Sequence, residues 1–165
     1  MSNITIPNSI TTIDGFAFRN CENLTNITLP NSITTIDWYA FAGCESLLSI
    51  KLPNSIKTID SNVFYNCKNL NNITLPNSVT KIGDSAFECC SCLKNITIPN
   101  SVTTIGRSAF QDCSALSSIT LPSSITTIGD SAFHTRSFED LTIIGEKGSY
   151  AETYANENNI TFKEQ

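Results

Sequence analysis

Residues 24–46 read LTNITLPNSITTIDWYAFAGCES, and this stretch decides the fold. Its opening, Leu24-x-x-Ile27-x-Leu29, ends in alternation. Ile27 and Leu29 point one way and Asn26 and Thr28 the other, as a short strand requires. Pro30 closes the strand, because its ring fixes φ and it brings no N–H to a ladder. Asn31 and Ser32 supply turn chemistry. Ile33 and Ile36 carry the chain back across a core. Ala40, Phe41 and Cys44 have the spacing of one inward helical turn.

The same unit recurs along the chain. Prolines stand at 7, 30, 53, 76, 99 and 122, always 23 residues apart, and they are all the prolines there are. Ile4, Ile27, Ile50, Ile73, Ile96 and Ile119 keep that step, as do Phe18, Phe41, Phe64, Phe87, Phe110 and Phe133. Cys21, Cys44, Cys67, Cys90 and Cys113 form another column, broken by Arg136. One unit cannot bury its own apolar side chains; stacked units bury them against each other. The expected fold is a solenoid: a parallel β-sheet on the concave face, short strand and helical-turn segments on the other side, and a C-terminal capping unit. Strands about 4.8 Å apart would give six or seven layers roughly 30 Å long. Residues 1–137 hold six repeats, and 138–165 hold a degenerate last repeat and the cap.

The two ends read differently. Met1 falls in the column of Leu24, so the chain opens in phase at a strand, without a polar capping unit. Such an edge is expected in a fragment or truncated member, in a chain that pairs with a second copy as a weak homodimer through its N-terminal face, or in one that tolerates a frayed first layer. At the other end the phase slips by one residue, with Phe138, Leu141 and Ile143 at strand positions. Ser149-x-x-Glu152 has the pattern of a capping box. The helix it opens would turn Tyr150, Ala151, Tyr154 and Ala155 inward, and Ile160 and Phe162 would alternate on a final strand.

The motif L-x-x-I-x-L-P-x-S-I/V-x-x-I followed by A-F-x-x-C resembles the BspA-like, or Treponema pallidum type, leucine-rich repeat over about residues 1–137. The tail GEKGSYAETYANENNITF is similar to the terminal unit of many members. The resemblance implies a leucine-rich-repeat solenoid used in adhesion, commonly as a surface protein that binds proteins of host or neighbouring cells.

Composition narrows the function. A net charge of −5 repels a phosphate backbone, so no nucleic acid partner is expected. No apolar run is long enough for membrane insertion. The N-terminus MSNITIPNSI has neither basic nor apolar leader segments, which points to the cytoplasm; an odd cysteine count of seven points the same way. The cell surface is the alternative that the resemblance implies. His134 is the sole histidine and lies in the degenerate last repeat, so a histidine metal cluster is excluded by count and no Ser-His-Asp triad is expected. Asp14, Asp37 and Asp60 share one column with Gly83, Gly106 and Gly129, the mark of a turn position tolerant of Asp or Gly. The cysteine column reads as buried small hydrophobes. Cys89 and Cys92 flank it without zinc spacing. Neither catalysis nor a cofactor or metal is expected.

What remains is a surface. Asn26, Thr28, Ser49, Lys51, Asn72, Thr74, Asn95, Thr97, Ser118 and Thr120 face outward from the strands and would form one continuous concave face. Trp38 and Tyr39 break the local repeat pattern and are candidate anchors, and Trp38 joins the face as an aromatic anchor. The expected function is a protein-binding module with a protein ligand; a structural or self-associating element, or a fragment of a larger surface protein, is the alternative.

Overall fold

A computed structural model describes residues 2–135 and 141–165. Met1, Arg136 and Phe138, which carry three of the expectations above, lie outside the described residues. Each repeat runs along three sides of a parallel-strand solenoid. On the first side, β1 (Ser2–Thr5), β3 (Leu24–Thr28), β5 (Ser49–Lys51) and β7 (Asn72–Thr74) form one sheet. The second side carries two-residue strands, β2 (Thr12–Ile13), β4 (Thr35–Ile36), β6 (Thr58–Ile59), β8 (Lys81–Ile82), β9 (Thr104–Ile105) and β11 (Thr127–Ile128). Back on the first side, β10 (Ser118–Thr120) pairs with β12 (Thr142–Gly145), and β12 with β13 (Thr161–Glu164). Partners such as Ile50 and Ile73, or Ile82 and Ile105, sit one repeat apart. Ile119 instead faces Ile143, the one-residue slip legible in the sequence.

The sheets are not continuous. Asn95, Ile96 and Thr97 hold no assigned strand, so the first side divides between β7 and β10. On the second side β2 and β4 pair with each other, and β6, β8, β9 and β11 form a separate sheet. Beyond that gap lies a row of glycines that the sequence reading took for tolerance. A Cβ on Gly83 would meet Ser61 N at 2.8 Å, on Gly106 the Asp84 N at 2.6 Å, and on Gly129 the Arg107 N at 2.4 Å. These layers approach backbone to backbone, which leaves no room for a side chain.

The third side corrects a second expectation. Ala40, Phe41 and Cys44 are fully buried, but residues 38–43 are successive turns, not a helical turn. Alternate residues donate in two directions. Ala40 N and Ala42 N reach the carbonyls of Asp37 and Tyr39, each at 3.2 Å, within the layer. Tyr39 N, Phe41 N and Gly43 N instead reach Ser61 O (3.2 Å), Val63 O (3.0 Å) and Tyr65 O (2.7 Å) in the next layer. Two left-handed residues per layer aim the N–H groups this way. Tyr39 (φ 56°) and Gly43 (φ 73°) are repeated by Asn62 and Asn66, Ser85 and Cys89, and Ser108 and Asp112. The result is a third interlayer ladder made without strands, so little backbone polarity is left unpaired in the core.

Inside the triangle, phenylalanines stack. Ring centroids of Phe18, Phe41, Phe64, Phe87, Phe110 and Phe133 follow one another at 5.2 to 5.8 Å. Small donors stitch the layers beside them. Ser32 and Ser101 Oγ donate to Ile10 O and Val79 O, each at 2.6 Å, and Ser55 donates to Ile33 O. The cysteine column does more than fill space. Cys44, Cys67, Cys90 and Cys113 Sγ each donate to the carbonyl of the preceding layer's phenylalanine at 3.1 or 3.2 Å. In the first layer Ile4 and Ile6 are half-buried and Ile10 is exposed.

α1 (Tyr150–Glu157) covers the last described layer. Ser149 caps it, its Oγ accepting from Glu152 N at 3.4 Å. The Glu152 carboxylate accepts from Gly148 N at 2.6 Å, one residue before the N-cap. Ala151, Tyr154 and Ala155 are buried, and the Tyr154 ring meets Phe133 at 5.9 Å. Tyr150, expected on the inner face, is exposed at 39%. In a helix whose inward residues are 151, 154 and 155, position 150 sits at the edge of that stripe.

Candidate functional site

The alternation of the first strands presents the predicted residues. Asn26, Thr28, Ser49, Lys51, Asn72, Thr74, Asn95, Thr97 and Thr120 are exposed, and Ser118 is half-buried. Parallel register places Asn26 beside Ser49 and Ser49 beside Asn72, and Lys51 beside Thr74. The structure therefore brings Asn26, Ser49 and Asn72, and Lys51 and Thr74, into two polar rows, whereas Asn95 and Thr97 lie on no strand and Ser118 and Thr120 belong to a separate sheet. A depression of about 300 Å³ is lined by residues of both rows, Ser49, Asn72, Lys51 and Thr74, and by Leu52 and Asn54 beyond them. Its donors and acceptors are amides, hydroxyls and one ammonium, which suits hydrogen bonding more than acid–base chemistry. Leu48, 45% exposed just before β5, was not expected here. Its column otherwise holds Thr25, Asn71, Lys94 and Ser117, and that break in polarity is the signal.

Trp38 does not join this face. It follows β4 at the start of the third side, 49% exposed. There it belongs, with Tyr39, to a cluster whose other members, Phe16 and Arg19, the sequence reading missed. Its ring meets Phe16 edge-on at 4.6 Å and Tyr39 at 5.7 Å, while Phe16 and Tyr39 stack at 5.5 Å. The Arg19 guanidinium carbon stands 5.3 Å over Phe16 and 5.7 Å over Tyr39. Gly15 opens the space: a Cβ there would lie 3.1 Å from Trp38 Nε1 and 3.2 Å from Trp38 O.

The remaining chemistry is structural. Burial pushes the Cys44 and Cys113 thiols up to about 12, and Cys67 and Cys90 well above their ordinary range. All four are held as neutral donors. Cys89 is half-buried in a left-handed position and Cys92 is exposed. Glu45 links layers, accepting from Lys68 Nζ at 2.8 Å and Asn66 Nδ2 at 3.0 Å. His134 lies in the last repeat, on a depression of about 360 Å³ shared with Phe133, Tyr154 and Asn158.

Comparison with known proteins returns the same architecture. The family described as BspA type leucine rich repeat region matches in six copies, over residues 1–116 and 35–163. A leucine-rich repeat protein from Bacteroides ovatus is 32% identical with a TM-score of 0.80; the alignment covers 99% of this chain and 43% of that one. The T. pallidum leucine rich repeat protein is 24% identical, with a TM-score of 0.73, 98% of this chain and 85% of that chain covered. The pneumococcal vaccine antigen PcpA is 26% identical with a TM-score of 0.68, and 88% and 40% of the two chains are covered. This chain thus spans less than half the length of the Bacteroides protein it resembles. No curated protein matches it. Among the described residues no helix is long and apolar enough to cross a membrane.

Proposed function

Because the chain belongs to the BspA type leucine rich repeat family, we propose that it is a non-enzymatic protein-binding module whose binding face is the sheet of first strands. The observation that supports this reading is the pair of exposed polar rows, Asn26–Ser49–Asn72 and Lys51–Thr74, on strands whose backbone is already paired. Side chains on such a sheet are held at fixed spacing by the scaffold, so little ordering entropy is lost on binding. The depression lined by both rows gives the face a concavity near the centre of the repeats. An adhesive role at a cell surface is the narrower form of this reading, as the family resemblance implies.

Cross-linking capture from extracts of host-cell surface and matrix proteins tests it, with a triple variant Ser49→Glu, Asn72→Glu and Thr74→Glu as comparison. These outward substitutions leave the core alone. Capture by the wild-type chain and its loss in the variant is the expected result; capture that survives the three added charges would move the binding face elsewhere.

A further inference from the structure

The cluster at the start of the third side breaks the rules that the other layers follow. The left-handed column reads Phe16, Tyr39, Asn62, Ser85, Ser108 and Ser131, all with φ between 53° and 63°. Asn is favoured in that region and a bulky aromatic is an outlier there. The ladder records the misfit. Phe16 N and Tyr39 N reach the next layer at 3.4 and 3.2 Å, whereas Asn62, Ser85 and Ser108 do so at 2.9, 2.8 and 3.0 Å. Strain of this kind collects at functional sites. The rings are also poorly hidden: Phe16 is 40% and Trp38 49% exposed.

The cluster holds an unused charge. Arg19 lies over two ring faces, yet its side chain makes no ion pair among the described residues, although Asp14 and Glu22 are near in sequence. A guanidinium fixed on aromatic faces keeps its N–H rim free and loses little freedom when a carboxylate takes it. Trp38 stands at 67° to Phe16 and 74° to Tyr39. Perpendicular rings form a corner, which fits a branched aliphatic side chain, and not the flat platform on which a sugar ring stacks.

We propose that Arg19, Phe16, Trp38 and Tyr39 form a second recognition site, separate from the sheet of first strands, for an acidic segment of another protein in which a Glu or Asp neighbours an aliphatic residue. The carboxylate takes the Arg19 fork and the aliphatic side chain fills the Trp38 corner. Arg, Trp and Tyr are the side chains that dominate binding energy at protein interfaces.

Trp38 is the sole tryptophan of the chain, so its emission reports on this site directly. The probe is a blocked hexapeptide, Gly-Glu-Leu-Glu-Ile-Gly, titrated against its Gln-for-Glu counterpart and against oligogalacturonate. The acidic peptide should shift Trp38 emission saturably, and the shift should weaken as salt rises. Arg19→Gln and the Gln peptide should each weaken binding about tenfold or more, the loss expected for one charge-assisted pair. Lys51→Ala should leave the titration unchanged, which separates this site from the sheet. No shift up to millimolar peptide, an equal shift with the Gln peptide, or a response to oligogalacturonate alone would each overturn the proposal.

Discussion

Replacing Phe64 with alanine tests the ring stack where it is most enclosed. The side chain is fully buried, with Phe41 at 5.8 Å on one side and Phe87 at 5.4 Å on the other. Truncating a buried phenylalanine costs about 3–5 kcal/mol. Each stacked pair contributes roughly 0.5–1.5 kcal/mol beyond burial, and both are lost here, which favours the upper end. The backbone partners stay: Phe64 N still donates to Ala86 O, and Phe64 O still accepts from Cys90 Sγ. The loss therefore belongs to packing alone. For a domain stabilised by about 5–15 kcal/mol, a loss near 4 kcal/mol shifts the urea midpoint strongly. Circular dichroism in urea measures it, with Phe16→Ala as the exposed comparison and Phe64→Leu, on the order of 1–2 kcal/mol, as the intermediate one. A Phe64→Ala midpoint equal to that of Phe16→Ala would refute the claim that the rings are the continuous core.

Gly106→Ala should destabilise by about 1–3 kcal/mol through overpacking, because the new Cβ would meet backbone at 2.6 Å; Asp14→Ala, in the same column but exposed, should fall within about 0.5 kcal/mol of wild type by the same urea assay. Native-state thiol titration should modify Cys92 and leave Cys44, Cys67, Cys90 and Cys113 unreacted until the chain unfolds. The folded thiols of Cys44 and Cys113 sit at about 12 against an ordinary 9.0, so the neutral form is the folded one. Their contribution is complete below pH 9 and is lost as pH rises towards 12; thermal melts should fall over that window, and less so in a Cys113→Ala variant. Ser149→Ala should lower stability by about 1 kcal/mol through loss of the helix cap, read as earlier hydrogen exchange in α1.

The repeat itself was legible because a solenoid repeats its core chemistry at every layer. The Phe, Cys and Ile columns each report one inward direction, and the slip at Ile143 showed where the register changes. The third side was not legible. Buried Ala40, Phe41 and Cys44 have helical spacing, and nothing in apolar periodicity separates a helical turn from alternating left-handed turns. A signal was present in the companion columns, where Asn20, Gly43, Asn66 and Asp112 are types that tolerate positive φ. Phe16 and Tyr39 obscured the parallel column. The glycines at 83, 106 and 129 looked interchangeable with Asp14, Asp37 and Asp60, because a sequence column does not show how closely two backbones pass. Trp38 was separated from the strand residues only by the course of the chain after β4.

The pairing of partners one repeat apart has a further consequence, for length. A layer takes its hydrogen bonds and ring contacts from the layer below and the layer above. Gaining or losing one whole turn of 23 residues would therefore hand each surviving layer the same kind of neighbour it had before. The rod would lengthen or shorten by a fixed increment of about 4.8 Å, and the Trp38 corner and the Tyr150–Glu157 helix would move apart or together by that increment with their own chemistry untouched. Within the six repeats, an insertion that is not a whole number of turns would strand the Phe and Cys rungs at the seam. Such a scaffold works as a ruler with a single graduation, in which reach and recognition can vary independently.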